Sequence, residues 1–247
     1  MPDLHAYAEC ASTNDVARAL AADGAAHGTV VVADHQSAGR GRHGRAWADR
    51  PGASLLLSMV LRPARDADPA AASALPLLVG LAAARALRAA TALDVKLEWP
   101  NDLVVDDRKV GGILCESALG GGRLDFVVAG LGINVAALPA DLDPATRARA
   151  ASVADLLGAG APSRAPLAGE IVRRLVALAA DAPLEGADLD QLRTLDSLAG
   201  RPVRFGAGRE GIARGILPDG ALAVEADGAT IQVRSGSVTP AGPRILD

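Results

Sequence analysis

Arg40, Arg42 and Arg45 stand on one short segment, GRGRHGR, in which glycines separate the guanidinium groups. Guanidinium forks and free backbone N–H groups on a pliable loop wrap phosphate oxygens well, so this segment suits anion recognition. A solvated basic loop with no ligand is the other reading, and the segment alone does not separate the two. Gly39 to Gly44 meets the letter of GxGxxG, but a dinucleotide fold needs a helix opening on the last glycine, and Pro51 and Gly52 leave no room for one. Arginines inside the turn would also crowd the backbone approach that such glycines permit. A Walker A loop is excluded because no GK[ST] ends the segment.

A second segment with chemical potential is WPNDLVVDDRKVGGILCE, Trp99 to Glu116. Asn101 and Asp102 follow one extended run, Lys109 opens the next, and Gly111 and Gly112 let a ligand lie directly on strand backbone. A lysine beside such a floor can place its charge on a bound carboxylate. Taken singly, Lys109 also reads as a strand-end lysine and Asn101–Asp102 as a turn or Asx cap. Asn134, in GLGIN, reads equally as a bulge or turn residue.

The elements that must position these residues are short and mixed. Ser12, Thr13 and Asn14 are three candidate N-caps for a helix over Asp15 to Ala22 that stops at Gly24. Thr29 to Ala33 and Ser54 to Leu61 read as strands joined by the glycine–arginine segment. Asp106 and Asp107 are expected at the tip of a hairpin. Phe126 to Val135 reads as a buried strand broken or bulged at its glycines. An amphipathic helix is expected over Ala161 to Ala180, with Leu167, Ile171, Leu175 and Leu178 on one face. This order predicts an α+β fold, a mixed central sheet with flanking helices. From Leu198 onward, short alternating runs between glycine turns predict a small β-barrel, so the expected division is 1–196 and 197–247.

Composition bounds the function. The 247 residues are 50% hydrophobic, enough for one sizeable core or two smaller ones, and the net charge of -4 argues against a protein that coats nucleic acid. Any basic function must be local. Cys10 and Cys115 have no metal-ligand spacing and support no disulfide framework, which fits a reducing cytoplasm. The N-terminus lacks the apolar run of a signal peptide. Residues 70–93 are apolar but contain Pro76, Arg85 and Arg88, and they read as a core helix, not a membrane span.

STND, QSAGRGRHGRAW, GASLLLSMVLRP, EWPNDLVVDDRKVGGILCES and VVAGLGINV together, in that order, resemble the biotin protein ligases, or biotin-[acetyl-CoA-carboxylase] ligases. Five ordered matches are far more specific than any one. The resemblance covers essentially the whole chain and implies a class II aminoacyl-tRNA synthetase-like catalytic fold with a C-terminal SH3-like barrel. It implies an enzyme that joins biotin to ATP as biotinyl-5′-AMP, releasing pyrophosphate, and passes biotin to a lysine of a biotin carboxyl carrier domain. Lys109, Arg42 and Asp102 are then the expected catalytic residues. Ser12, Thr13, Asn14, Gln36, Gly39, Arg40, Trp47, Gly112, Ile113 and Leu114 are expected around biotin. Arg40, Arg42, Arg45, Asn101, Lys109 and Asn134 are expected around the nucleotide, with Mg2+ held mainly by its phosphates.

Two departures from the family pattern stand out. Glu98 occupies the position immediately before WPND where the family usually has lysine, and Lys96, two residues earlier on the same strand face, is expected to compensate in part. Only eleven residues precede STN, too few for a winged helix-turn-helix, so no operator binding is expected. A lipoate or octanoate ligase or transferase of the same superfamily is the nearest alternative. A non-catalytic biotin-binding or RNA-binding module is the alternative from another class, with scarce aromatics counting against RNA.

Overall fold

The computed structural model describes residues 3–63 and 67–242. In chain order they form β1 (Leu4–Cys10), α1 (Thr13–Ala22), β2 (Val30–Gln36), β3 (Ser54–Leu61), α2 (Leu75–Thr91), β4 (Lys96–Glu98), β5 (Asp102–Val105), β6 (Arg108–Gly120) and β7 (Arg123–Asn134). Then come α3 (Pro144–Arg149), α4 (Val153–Leu157), α5 (Arg164–Leu175) and α6 (Gly186–Leu195). The strands β8 (Pro202–Phe205), β9 (Arg209–Ile216), β10 (Leu222–Ala226), β11 (Ala229–Val233) and β12 (Val238–Pro240) follow. The first seven strands make a sheet ordered β1-β2-β3-β7-β6-β5-β4, mixed because β1 runs parallel to β2 while the other pairs are antiparallel. The last five make a second sheet ordered β11-β10-β9-β8-β12. The α+β architecture with a C-terminal β unit is therefore as expected.

Side-chain alternation along β3 explains how one sheet serves both core and site. All eight residues of β3 are buried. Leu55, Leu57, Met59 and Leu61 point into the main core with α2 and α5, whereas Val60 packs with Ala17 and Ala21 of α1. A period of two thus sends Leu56 and Ser58 to the α1 side. The same division holds on β7: Val127, Ala129, Leu131 and Ile133 belong to the main core, and Gly130, Gly132 and Asn134 lie on the opposite face.

The expected break in this strand does not occur. β7 pairs with β3 without a register shift from Leu61↔Val127 to Ser54↔Asn134, straight through both glycines. The glycines are there for what lies above them. A Cβ on Gly130 would collide with the Asn14 amide, and one on Gly132 would meet Trp47 Cζ2 at 2.7 Å. The amphipathic helix is also shorter than expected: α5 starts after Ser163 and ends at Leu175, where Leu178 N–H bonds Leu175 O at 2.9 Å and tightens the final turn. Leu167, Ile171 and Leu175 are buried as foreseen, each contributing roughly 1.5–3 kcal/mol. The hairpin tip falls at Asp106 and Asp107, both at positive φ as a two-residue turn demands. Ala72–Thr91 is apolar and long enough to cross a membrane, but most of it is buried in the fold as a core helix.

Candidate active site

A cleft of about 690 Å³ opens on the sheet face that α2 leaves uncovered, within the usual range for a small-molecule site. Its floor is Leu56, Gly130, Gly132, Gly112 and Leu114 from three adjacent strands. The pairing Gly112↔Gly132 sets bare backbone side by side, and Gly130 opposite Leu114 removes one more side chain, so the floor is open where side chains would otherwise stand.

The closed end is polar, and hydrogen bonds tie Gln36, Thr13, Ser58 and Asn14 together there. Ser12 takes the N-cap position of α1, in extended backbone, without capping it by its side chain. Thr13 donates to Gln36 Oε1 twice, from its backbone N–H at 2.7 Å and from Oγ1 at 2.9 Å. Ser58 Oγ lies 2.8 Å from Thr13 Oγ1 and 2.6 Å from Asn14 Oδ1. Asn14 Nδ2 donates to Leu114 O at 3.2 Å and to Glu116 Oε2 at 2.6 Å. Asn14 therefore has its amide committed to the protein and acts here as a brace between α1 and β6.

The glycine–arginine loop arches over the cleft. Trp47 N–H bonds Gly39 O at 2.9 Å, Gly41 N–H bonds Arg45 O at 2.7 Å, and His43 and Gly44 take the positive φ that turns the chain back. No α-helix follows Gly44, in keeping with the rejected dinucleotide motif. Gly39 does not line the cleft; its lack of a side chain lets Trp47 and Gln36 close together. Arg40 is bidentate on Asp15, at 2.7 and 2.5 Å. Arg42 donates to Asn101 Oδ1 at 3.0 Å and to Gly236 O at 3.1 Å, linking the loop to both sheets. Burial lowers the pKa of the Arg42 guanidinium, and the nearby Asp102 carboxylate opposes that shift.

Opposite the loop, Lys109 Nζ lies 2.8 Å from Asp102 Oδ1 and 5.8 Å from the centre of the Trp47 ring. Its chain passes directly over Gly112, where a Cβ would meet Nζ at 3.1 Å. Asn101 Nδ2 donates to Ile113 O at 2.8 Å, and Asn134 Nδ2 to Ala151 O at 3.1 Å. Of the residues expected from sequence around the ligands, all but Gly39 and Gly111 line this one cleft; Gly111 faces the other side of the sheet, where a Cβ would meet the Leu103 and Ile133 side chains.

Glu98 also lines it, 7% exposed, and its carboxyl is held above the ordinary range by burial, with Arg149 opposing that shift. Lys96 does not compensate as expected: it sits 3.6 Å from Asp94 at the surface, while Arg149 Nη2 lies 3.4 Å from Glu98 Oε1. The lining carries Arg40, Arg42, Arg45, Lys109 and Arg149 against Glu98, Asp102 and Asp107. The cleft is thus locally cationic in a chain of net charge -4. Ser58, Arg149 and the segment Ser237 to Thr239 were missed from sequence, for each is an ordinary residue in its local pattern, and Glu116, though it closes the stretch Trp99 to Glu116, was given no role.

The family model described as biotin/lipoate A/B protein ligase family matches residues 8–134. The chain is 37% identical over 250 residues to a biotin--[acetyl-CoA-carboxylase] ligase of Mycobacterium tuberculosis, an alignment covering 95% of this chain and 88% of that one. It is 37% identical over 218 residues to the bifunctional ligase/repressor BirA of Salmonella typhimurium, covering 86% of this chain and 66% of the relative, just under two thirds of its length. A solved structure of biotin protein ligase from Aquifex aeolicus in complex with biotin and ATP superposes with a TM-score of 0.79, at 25% identity, covering 98% of this chain and 100% of that one.

Proposed function

The chain belongs to the biotin/lipoate A/B protein ligase family, and on that premise we propose that it activates biotin with ATP and transfers it to a carrier lysine. In the first step a biotin carboxylate oxygen bonds the α-phosphorus, the bond from that phosphorus to the bridging oxygen breaks, and pyrophosphate leaves. In the second, the carrier's ε-amine bonds the acyl carbon, AMP leaves, and the amine's proton passes to solvent. A carboxylate is already ionised at neutral pH, so no general base is required for the first step. The obstacle is one anion approaching another, and fixed positive charge lowers it.

The observation that carries this reading is the position of Lys109. Its ammonium stands over the glycine floor, fixed by Asp102 and 5.8 Å from the centre of the Trp47 ring, in the cleft that the arginine loop also lines. There it can neutralise a carboxylate and a phosphate at once. Thr13, Gln36 and Ser12 at the closed end offer the polar ureido ring of biotin hydrogen-bonding groups that a plain alkyl acid cannot use. This favours biotin over lipoate or octanoate. Arg42, Arg45, Asn101 and Asn134 are proposed around the nucleotide, and Trp47 around the apolar part of the ligand.

Among the described residues, no group of three His, Cys, Asp or Glu side chains converges to hold a metal ion. Mg2+ is therefore proposed to enter on the triphosphate, where it would neutralise phosphate charge, with Asn101 and Asp102 nearby. The acceptor is proposed to be a folded carrier domain of a biotin-dependent carboxylase, and the chain is proposed to divide near residue 197 into a catalytic unit and the C-terminal β unit. Both cysteines are free thiols, in keeping with a cytoplasmic setting. Incubation with biotin, ATP, Mg2+ and a carrier domain should give bound biotinyl-5′-AMP by mass spectrometry and biotin on the carrier by gel. Failure to transfer from preformed biotinyl-5′-AMP to any carrier domain would reject the second step.

A further inference from the structure

The wall of the cleft beside β4 is acidic where an ATP-binding site needs positive charge. Glu98, Asp102 and Asp107 all line it. Two of the three are closely matched by a cation, Asp102 by Lys109 at 2.8 Å and Asp107 by Arg201 at 2.6 Å. The third match is loose. Arg149 Nη2 stands 3.4 Å from Glu98 Oε1, and the Arg149 side chain is 61% exposed although the Glu98 side chain beneath it is buried. Elsewhere around the cleft, Arg40 is spent on Asp15, and Arg42 on Asn101 and Gly236.

Arg149 is nevertheless fixed in the frame of the site. It ends α3, and the next residues run beside the strand of Lys109: Ala150 bridges Lys109, and Ala151 N–H bonds Lys109 O at 2.9 Å. The backbone is anchored to the strand carrying the central lysine, while the side chain is long, exposed and weakly held. A guanidinium so placed can turn about its own bonds from a carboxylate to a phosphate without backbone motion.

We propose that Arg149 is a nucleotide-binding residue: it leaves Glu98 to take the β- and γ-phosphates of ATP, and Glu98 parks it over the cleft when the nucleotide is absent. This rests on the reading of the cleft as an ATP site. In the first half-reaction Arg149 stabilises the departing pyrophosphate, and in the second it has no part, because AMP lacks those phosphates. Glu98 acts through Arg149 and is a positioning residue.

The test is biotin-dependent pyrophosphate release by the full chain, with calorimetric titration of ATP alone. Arg149→Ala should raise the KM for ATP at least about tenfold, the loss of one charge-assisted contact, with the KM for biotin changed less than about twofold. Transfer from preformed biotinyl-5′-AMP should keep its wild-type rate. Arg149→Lys should recover part of the loss, and Glu98→Lys in the Arg149→Ala background should recover it by restoring a cation to the same wall. An Arg149→Ala protein whose KM and calorimetric affinity for ATP match the wild type would overturn the proposal. So would equal loss toward ATP and biotin. If wild-type protein binds ATP but releases no pyrophosphate with biotin, the ligase reading fails, and the calorimetric comparison still decides the role of Arg149.

Discussion

Lys109 Nζ and Asp102 Oδ1 lie 2.8 Å apart across the β5–β6 hairpin, so the central cation of the cleft is positioned before any substrate arrives. Preorganised charge costs no rearrangement at the moment of reaction.

Lys109→Ala is expected to slow adenylation by about 10²–10³-fold while weakening biotin binding far less, since its charge matters most as the pentavalent phosphate forms. Asp102→Ala, which leaves the lysine present but unheld, should fall between this variant and the wild type. Single-turnover rates set beside calorimetric affinities for biotin measure both. Equal losses in rate and affinity would place Lys109 in ground-state binding alone.

Gly132→Ala should act through the loop and not through the strand. Its new methyl would meet three carbons of the Trp47 ring at 2.7 to 3.0 Å. The β7 pairing should survive, so circular dichroism is expected to be unchanged while adenylate binding weakens roughly tenfold or more. A cooperative loss of secondary structure would contradict this.

Ser58→Ala removes a fully buried hydroxyl that supports both Thr13 and Asn14. Chemical denaturation should register a loss of about 1–3 kcal/mol, and biotin affinity should fall with it, as the closed end loses its brace. A stability loss with wild-type biotin affinity would separate this serine from the site.

Glu98 carries a pH prediction. Burial raises its carboxyl above the ordinary 4.5, so the folded state takes up a proton more readily than the unfolded chain. That contribution to stability is full below pH 4.5 and is lost as pH rises through the raised value. Glu98→Gln should therefore raise Tm at pH 7 to 8, by about 2–4 °C, and the gain should vanish toward pH 4. A constant gain at every pH would assign the effect to packing.

How much of this was legible depended on whether chemistry and pattern coincided in one stretch. The hairpin tip at Asp106 and Asp107, the run Ser54 to Leu61, and the residues around Lys109 announced themselves because turn residues, apolar alternation and a lone cation sit within a few positions of each other. Ser58 was hidden as a single serine in an apolar strand, for its partners lie 45 and 44 residues away on α1. Arg149 was hidden likewise, with Glu98 51 residues distant, and proximity in sequence pointed to Lys96 instead. β1 was left unassigned because an edge strand with mostly exposed side chains shows little burial pattern. Gly130 and Gly132 were visible, but their reason was not: a strand glycine predicts a bulge or a close approach, and only the packing of Asn14 and Trp47 decides between them.

The central claim is that this cleft joins biotin to ATP. Pyrophosphate release by the purified chain with ATP and Mg2+, on addition of biotin, lipoate or octanoate in turn, tests it most directly. Release with biotin alone, accompanied by bound biotinyl-5′-AMP, is the predicted result. Release with lipoate or octanoate and none with biotin would contradict the claim, leaving the fold intact and moving the substrate.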